Sequence, residues 1–377
     1  MNLIPTILLA FILFFGISCK NANHQSVDNQ VSLFIGTYTF QDSKGIYHCL
    51  FDTITGKISQ PKLAAQVENP SFLTFSEKKK YLYAVSEKGS KTGFPSGKII
   101  AYHVIKEDSI RYLNEEFTKG NHPCFVSTVE NYALVANYSS GNISVLPIKE
   151  DGSLDTLSCL IQHKGHGPNQ QGQESPHAHC IKPMPGTDLI LSADLGINKV
   201  LIYRMDPAEG ILTRKDQINL PPGAGRRHID FHPSGRYLAV INELDCTITH
   251  YSIDPEKNRI ELRQRISTLP DDFKLYNTCA DIHYSKDGRF LYGSNRGHNS
   301  IVINKVDEKS GNLEFVGWVS TKGSTPRNFN IDPSGKFLLV ANQDSHNIVV
   351  FRINRQTGEL EETGIEINVS MPVCLLF

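Results

Sequence analysis

Seven side chains in this 377-residue chain carry a charge or a titratable ring at places where a repeated pattern would bring them together: His177, His179, Arg227, His228, Glu243, Arg296 and Arg327. Each lies near the start of a recurring strand or at the end of the strand that follows. Such groups are costly to hold at a protein centre without partners, so their convergence on one face implies a polar pocket. In His177-Ala178-His179 the two imidazoles are two residues apart and share one face of a strand. With His163 and His166 upstream a metal cluster is conceivable. His166 sits in the Gly/Gln-rich stretch from Gly165 to Glu174, and His163 just before it, and that stretch reads as a long loop rather than a rigid ligand scaffold. One histidine is therefore read as a general base or hydrogen-bond donor and the other as structural. Asn137, Asp194 and Asn342, at second-strand ends, suit a structural role, because such side chains bond nearby backbone in turns.

The elements that must position these residues are written as a repeat. Its clearest copies are Arg227 to Val240 and Arg327 to Val340, with turns at Pro233-Ser234-Gly235 and Pro333-Ser334-Gly335. Taking Arg226 and Pro326 as their starts, looser copies begin at Pro70, Pro123, Pro176, Cys279 and Pro372, at steps of 53, 53, 50, 53, 47 and 46 residues. Each copy reads as four short strands, and nothing of helical period competes. A period in this range built from alternating strands means a propeller or a solenoid. Residues 31–58 carry later strands of a blade but no first strand, and the orphan segment Met371 to Phe377 supplies it. A blade shared between the termini closes a ring and leaves no long sheet edge open. The expectation is an all-β, seven-bladed β-propeller over residues 31–377.

In an antiparallel pair the start of the first strand and the end of the second lie together. One face therefore gathers Ser71, Cys124, His177, Arg227, Ala280, Arg327 and Val373 with Ser86-Glu87, Asn137-Tyr138, Asp194-Leu195, Asn242-Glu243, Asn295-Arg296 and Asn342-Gln343.

Charge is balanced, 38 Lys and Arg against 39 Asp and Glu for a net of -1, which argues against a nucleic-acid partner. Lys78-Lys79-Lys80 falls on a turn and reads as a solvated hairpin tip. Leu3 to Ser18 is apolar apart from Pro5 and ends at Gly16-Ile17-Ser18-Cys19, which resembles a bacterial lipoprotein signal, although it lacks Lys or Arg at its start. Residues 20–30 read as a polar tether. The expectation is an exported protein, periplasmic or held at the membrane only through a lipid on Cys19. The remaining seven cysteines are dispersed without Cys-x-x-Cys, so neither a disulfide framework nor a zinc site is indicated.

At these residues the chain resembles the lactonase family of seven-bladed propellers, which includes propeller-type bacterial 6-phosphogluconolactonases and fungal carboxy-cis,cis-muconate cyclases. The resemblance is carried by Ser175-Pro176-His177-Ala178-His179, Ala193-Asp194-Leu195-Gly196, Arg227-His228-Ile229-Asp230-Phe231-His232-Pro233, Asn242-Glu243-Leu244, Ser294-Asn295-Arg296-Gly297-His298 and Pro326-Arg327-Asn328-Phe329. It implies hydrolysis of a sugar lactone to the aldonic acid, with His179, Arg227, Glu243 and Arg296 catalytic. Candidate substrate contacts are His177, His228, Asn295 and Arg327. Where the family has Gly-Pro-Arg-His, this chain has Gly225-Arg226-Arg227-His228, an added positive charge.

For such a reaction Glu243 or His179 would take a proton from water. Arg227 and Arg296 would stabilise the oxyanion, or hold a phosphate or carboxylate in bidentate fashion. No Gly-x-Ser-x-Gly elbow occurs, which argues against a serine nucleophile. The expected partner is a small-molecule lactone, the expected protein a monomer, with no metal or cofactor. Two rival readings remain. Glu243, Asn242, Asn295 and Asp194 could offer oxygen ligands to Ca²⁺, although the arginines would oppose a cation. A non-enzymatic binding propeller is the other, since fold alone does not assign activity. The lone Trp318 and the absence of Gly-His…Trp-Asp signatures weaken a WD-repeat version of it.

Overall fold

The computed structural model describes Met1 and residues 29–90, 94–106, 109–219, 222–254 and 259–377. Residues 2–19 of the signal-like segment and nearly all of the tether lie outside the described residues. Gln30 does not belong to the tether: it opens the first strand, and its Nε2 donates to Asp52 Oδ2 at 3.1 Å.

Alternating apolar and polar residues, cut by glycine and Asx turns, fold into twenty-eight strands and no helix among the described residues. They form seven four-stranded antiparallel sheets, the blades of a propeller. Strands at the second position are buried on both faces and are apolar runs, as in Tyr81–Ser86, Tyr132–Asn137 and Phe337–Asn342. Outermost strands such as Arg259–Ser267 are largely exposed and charged. The core is therefore a ring of blade-to-blade contacts rather than one central mass. In five of the seven outer hairpins a turn glycine does part of this packing. Gly152 (φ +84) lies on the Tyr81 ring of the preceding blade, and Gly56 (φ +77) on Phe337, with no room for a Cβ at either position.

Blade 1 consists of Gln30–Thr37, Gly45–Asp52 and Lys62–Gln66, and its innermost strand is Pro372–Leu376 from the far end of the chain. Ile35 pairs with Leu375 and Phe34 with Leu376. The last strand is also tied to both neighbouring blades. The Leu375 N–H donates to Asn328 Oδ1 at 2.7 Å, and the Leu73 N–H to Cys374 Sγ at 3.3 Å. The split blade expected from the two ends is the one observed. Lys79 sits at a turn (φ +52) as expected, and its Nζ donates to the Phe377 carbonyl at 3.1 Å.

The inner strands of blades 2 to 7 are Leu73–Phe75, Pro123–Val129, Ala178–Pro183, Arg226–Phe231, Thr278–Tyr284 and Pro326–Ile331. The third full repeat therefore starts at Ala178 and not at Pro176. Asp194 follows Ala178 by the same sixteen residues that separate Arg226 from Asn242.

Removing residues 371–377 takes the inner strand from blade 1 and exposes the inner edge of Gln30–Thr37 to pairing with other chains. The truncated protein is expected to aggregate or lose its single cooperative thermal transition. Calorimetry and light scattering check this, and an unchanged melting profile would refute ring closure as a stabilising contact.

Candidate active site

Six of the seven inner strands open with a β-bulge, and the bulged residues are the chemically interesting ones. In blades 3, 4, 5 and 7 one residue has no partner across the ladder: Cys124, His179, Arg227 and Arg327. The same break leaves Val373 unpaired in blade 1 and Ala280-Asp281 against a single residue in blade 6. A bulge bends the strand and re-aims the extra side chain. Facing this inner set are the residues at or just past the second strand ends: Tyr38, Glu87, Tyr138, Leu195, Glu243, Arg296 and Gln343. The equivalent of Arg227 in blade 4 is thus His179. His177 lies outside the strand, where its ring stacks on Tyr138 at 4.5 Å and its two nitrogens meet the Tyr138 carbonyl (3.1 Å) and Glu174 (3.2 Å).

At the centre one carboxylate joins two guanidiniums. Glu243 Oε2 lies 2.9 Å from Arg227 Nε and 3.0 Å from Arg296 Nη2. Backbone completes the cradle, because Arg227 Nη1 donates to the Ala280 carbonyl at 2.6 Å and Arg296 Nη2 to that of Cys279 at 2.9 Å. Burial alone would push the Glu243 carboxyl up, but Arg296, Arg227 and Arg327 outweigh it and hold the group below its ordinary range, ionised. Burial, helped by Arg296 and Arg327, pulls Arg227 down to about 10, which still leaves it charged near neutrality.

A second chain of contacts runs from blade 7 through blade 1 to blade 2. Arg327 Nη2 donates to Tyr38 Oη at 2.8 Å, and Tyr38 Oη donates to Glu87 Oε2 at 2.9 Å. Burial pulls Arg327 down, but the Tyr38 hydroxyl and the Glu87 and Glu243 carboxylates more than restore its charge. His179 completes the site. Its Nδ1 is 3.7 Å from Cys124 Sγ, and its ring meets those of Tyr138 (5.4 Å) and His228 (5.3 Å) edge-to-face. Burial first, then Arg227, His228 and Arg327, hold it well below the usual histidine range, so it is neutral. Burial also keeps the Cys124 thiol well above its usual range, which leaves it protonated and a poor nucleophile.

Five of the eight residues expected at the site meet in this cleft: His179, Arg227, Glu243, Arg296 and Arg327. Asn295 does not. Strand alternation turns it into blade 6, where its amide nitrogen donates to the Thr268 carbonyl at 2.9 Å and its oxygen accepts from Thr268 Oγ1 at 2.8 Å. His228 lies beneath Arg227 with both ring nitrogens engaged, by Asp281 and Arg227, so it is no substrate contact. His177 sits at the rim. Arg226 adds no charge to the cleft: it is fully buried in blade 5, with Nη1 3.4 Å from Tyr251 Oη. The donors weighed for Ca²⁺ are dispersed. Asp194 bonds His163 at 2.6 Å, and Asn242 bonds Thr247 and Thr249 at 2.9 Å each. No His/Cys/Asp/Glu cluster suited to a metal occurs among the described residues. Tyr38 and Asp281 went unnoticed. Ala136-Asn137-Tyr138 beside Gly36-Thr37-Tyr38 was the signal for Tyr38.

Fold and site define a closed propeller whose axial cleft is built from guanidiniums around a carboxylate. Residues 32–377 match the lactonase family, described as a seven-bladed β-propeller. The chain belongs to that family. It is similar to a 6-phosphogluconolactonase of Bacillus subtilis, 37% identical over 80% of this chain and 85% of that one. A 6-phosphogluconolactonase of Formosa agariphila is 33% identical over 80% and 86%. Among solved structures, the Pseudomonas aeruginosa periplasmic gluconolactonase superposes with a TM-score of 0.87 at 33% identity, covering 92% of this chain and 99% of that one.

The neutral histidines make stability depend on pH. Burial and Arg227 hold His228 down to about 3 in the folded chain, against 6.5 for an ordinary histidine. Between those values the unfolded chain binds a proton that the folded chain refuses. The stabilisation is complete above about 6.5 and is lost as pH falls, at up to about 1.4 kcal/mol per pH unit for each such histidine. Urea midpoints measured between about pH 7.5 and 5 should fall, and should fall less in His228→Gln. Parallel declines in the two proteins would contradict the assignment.

Proposed function

We propose that this protein hydrolyses a sugar lactone to the open aldonic acid by direct attack of water in the axial cleft. The observation that carries the reading is the Glu243 carboxylate held between Arg227 and Arg296, in a chain of the lactonase family. Water attacks the lactone carbonyl carbon, and Glu243 or His179 accepts the proton released. Both guanidiniums of Arg227 and Arg296 stabilise the tetrahedral oxyanion. The ring C–O bond then breaks, and the same proton returns to the departing alkoxide. Where Glu243 is the base, Oε1 is the oxygen to receive the proton, because both ion pairs meet Oε2. Three guanidiniums against the Glu243 and Glu87 carboxylates leave the cleft with a net positive charge, which suits a phosphorylated or otherwise anionic lactone.

We extend the proposal to export. The apolar run ending at Cys19 supports it, and a similar protein is named a periplasmic gluconolactonase. Cys19→Ala should shift the protein out of the membrane fraction or stall its processing. Recovery of wild-type protein with residues 1–19 intact in the cytoplasm would contradict export.

The activity is tested by acid release from 6-phosphogluconolactone, gluconolactone and acyl lactones above the spontaneous rate. Glu243→Gln, Arg227→Ala and Arg296→Ala are each expected to lower turnover about a hundredfold or more, since a lost base or oxyanion donor commonly costs that much. Lys79→Ala, at a remote hairpin, should keep the wild-type rate. EDTA should leave turnover unchanged. Wild-type rates in all three cleft variants would refute the assignment of the site.

A further inference from the structure

Beneath the cleft lies a buried carboxylate that reaches it through one histidine. Asp281 belongs to the two-residue bulge of blade 6, and its Oδ1 is 2.8 Å from His228 Nδ1. Both of its oxygens are committed as acceptors. Oδ1 takes the Ile282 N–H at 3.0 Å, and Oδ2 takes Asn328 Nδ2 and lies 3.0 Å from His283 Nε2. Burial would push this carboxyl up, but His283 and His228 hold it well below the usual range, so it is ionised and cannot donate. The hydrogen between the pair must then sit on His228 Nδ1. A neutral imidazole protonated there has a bare Nε2, and that atom lies 3.3 Å from Arg227 Nη1. Arg227 is consequently fixed by Glu243 at Nε and by the Ala280 carbonyl and His228 at Nη1. The hydrogen bonds of the guanidinium are both made by Nη1, while Nε meets Glu243 as an ion pair without hydrogen-bond geometry.

We propose that Asp281 is a positioning residue: by fixing the tautomer of His228 it makes that ring a hydrogen-bond acceptor, and thereby aims the Arg227 guanidinium at the reacting carbonyl. The inference rests on the lactone-hydrolase reading for its kinetic consequence but not for its structural one. The opposite tautomer would point an N–H at Nη1, and two donors facing each other would displace the guanidinium. A displacement of about 1 Å at a catalytic group can cost on the order of a hundredfold in rate.

The structural consequence is read without activity, from the ring ¹⁵N shifts of His228 in histidine-labelled protein, assigned by their loss in His228→Asn. Near neutral pH the wild-type ring should show a protonated Nδ1 and a bare Nε2, and Asp281→Asn should mix or invert the pattern. A wild-type ring protonated on Nε2 overturns the proposal. On the best lactone, Asp281→Asn is expected to lower kcat about a hundredfold with KM changed less than threefold. His228→Asn keeps a donor toward Asp281 and deletes the acceptor toward Arg227, so it should lose kcat alike and keeps the test open if Asp281→Asn fails to fold. The decisive comparison is with Arg227→Ala. If Asp281 works through Arg227, adding Asp281→Asn to Arg227→Ala should lower kcat little further. Losses that multiply would mean an independent, merely structural role and would overturn the proposal. Absence of wild-type turnover on every lactone would sink the enzymatic reading instead, leaving the tautomer result to stand or fall alone.

Discussion

A guanidinium or a carboxylate can remain charged at the centre of a protein only if its partners are already in place, and this constraint organises the propeller axis. Glu243 is shared by Arg227 and Arg296, whose side chains are 2% and 12% exposed. Removing one member of a buried pair commonly costs about 3–5 kcal/mol, because the survivor is left without compensation. The pairing alone is insufficient, since three arginines crowd the same region. Carbonyls of Cys279 and Ala280, the Tyr38 hydroxyl and the neutral His228 ring supply the remaining acceptors. The Ala280 carbonyl and the Tyr38 hydroxyl each come from the blade next to the one whose arginine they serve, so electrostatics and ring assembly are one problem.

Bulges and closure solve it together. A regular inner strand would alternate its side chains between the two faces of the blade. One extra residue at the strand entrance lets Cys124, His179, Arg227 and Arg327 occupy equivalent places around the axis. Closure matters to the site as well as to stability. The Tyr38 N–H donates to the Met371 carbonyl at 3.0 Å, while the Tyr38 hydroxyl takes the Arg327 hydrogen bond. The residue that leads into the last strand thus helps hold the tyrosine that meets the third guanidinium.

Much of this was legible in the sequence, for a physical reason. The propeller repeats its backbone rules in each blade, so Pro-Ser-Gly turns, apolar second strands and a displaced final strand all left periodic traces. The charged residues broke that period, which is why Arg227, Glu243, Arg296 and Arg327 stood out. What escaped was whatever a one- or two-residue shift decides. Placing the third repeat at Pro176 put His177 in the slot that His179 occupies, and Asn295 faces the blade because its neighbour Arg296 faces the cleft. Tyr38 was hidden because its blade lacks a first strand in sequence order. Asp281 was hidden because a two-residue bulge leaves no mark in composition or spacing.

The same crowding bears on how such a cleft would work. The surroundings that make it attractive to an anion also weaken its bases: the arginines hold Glu243 below the ordinary carboxylate range, and burial, with Arg227, His228 and Arg327 adding to it, holds His179 below the ordinary imidazole range. A weak base abstracts little from bound water in the ground state. On the lactone-hydrolase reading, proton transfer would therefore follow rather than precede attack, once the nucleophilic oxygen has become acidic. Rate enhancement would come chiefly from fixed positive charge meeting the oxyanion as it forms. A pre-formed array is suited to that, because its partners and bulges are fixed before substrate arrives and nothing has to reorganise as the charge develops. On the same reading, committing two guanidiniums to one carboxylate has a use: a single paired arginine would be neutralised outright, whereas two sharing Glu243 keep an unspent positive charge in a fixed place.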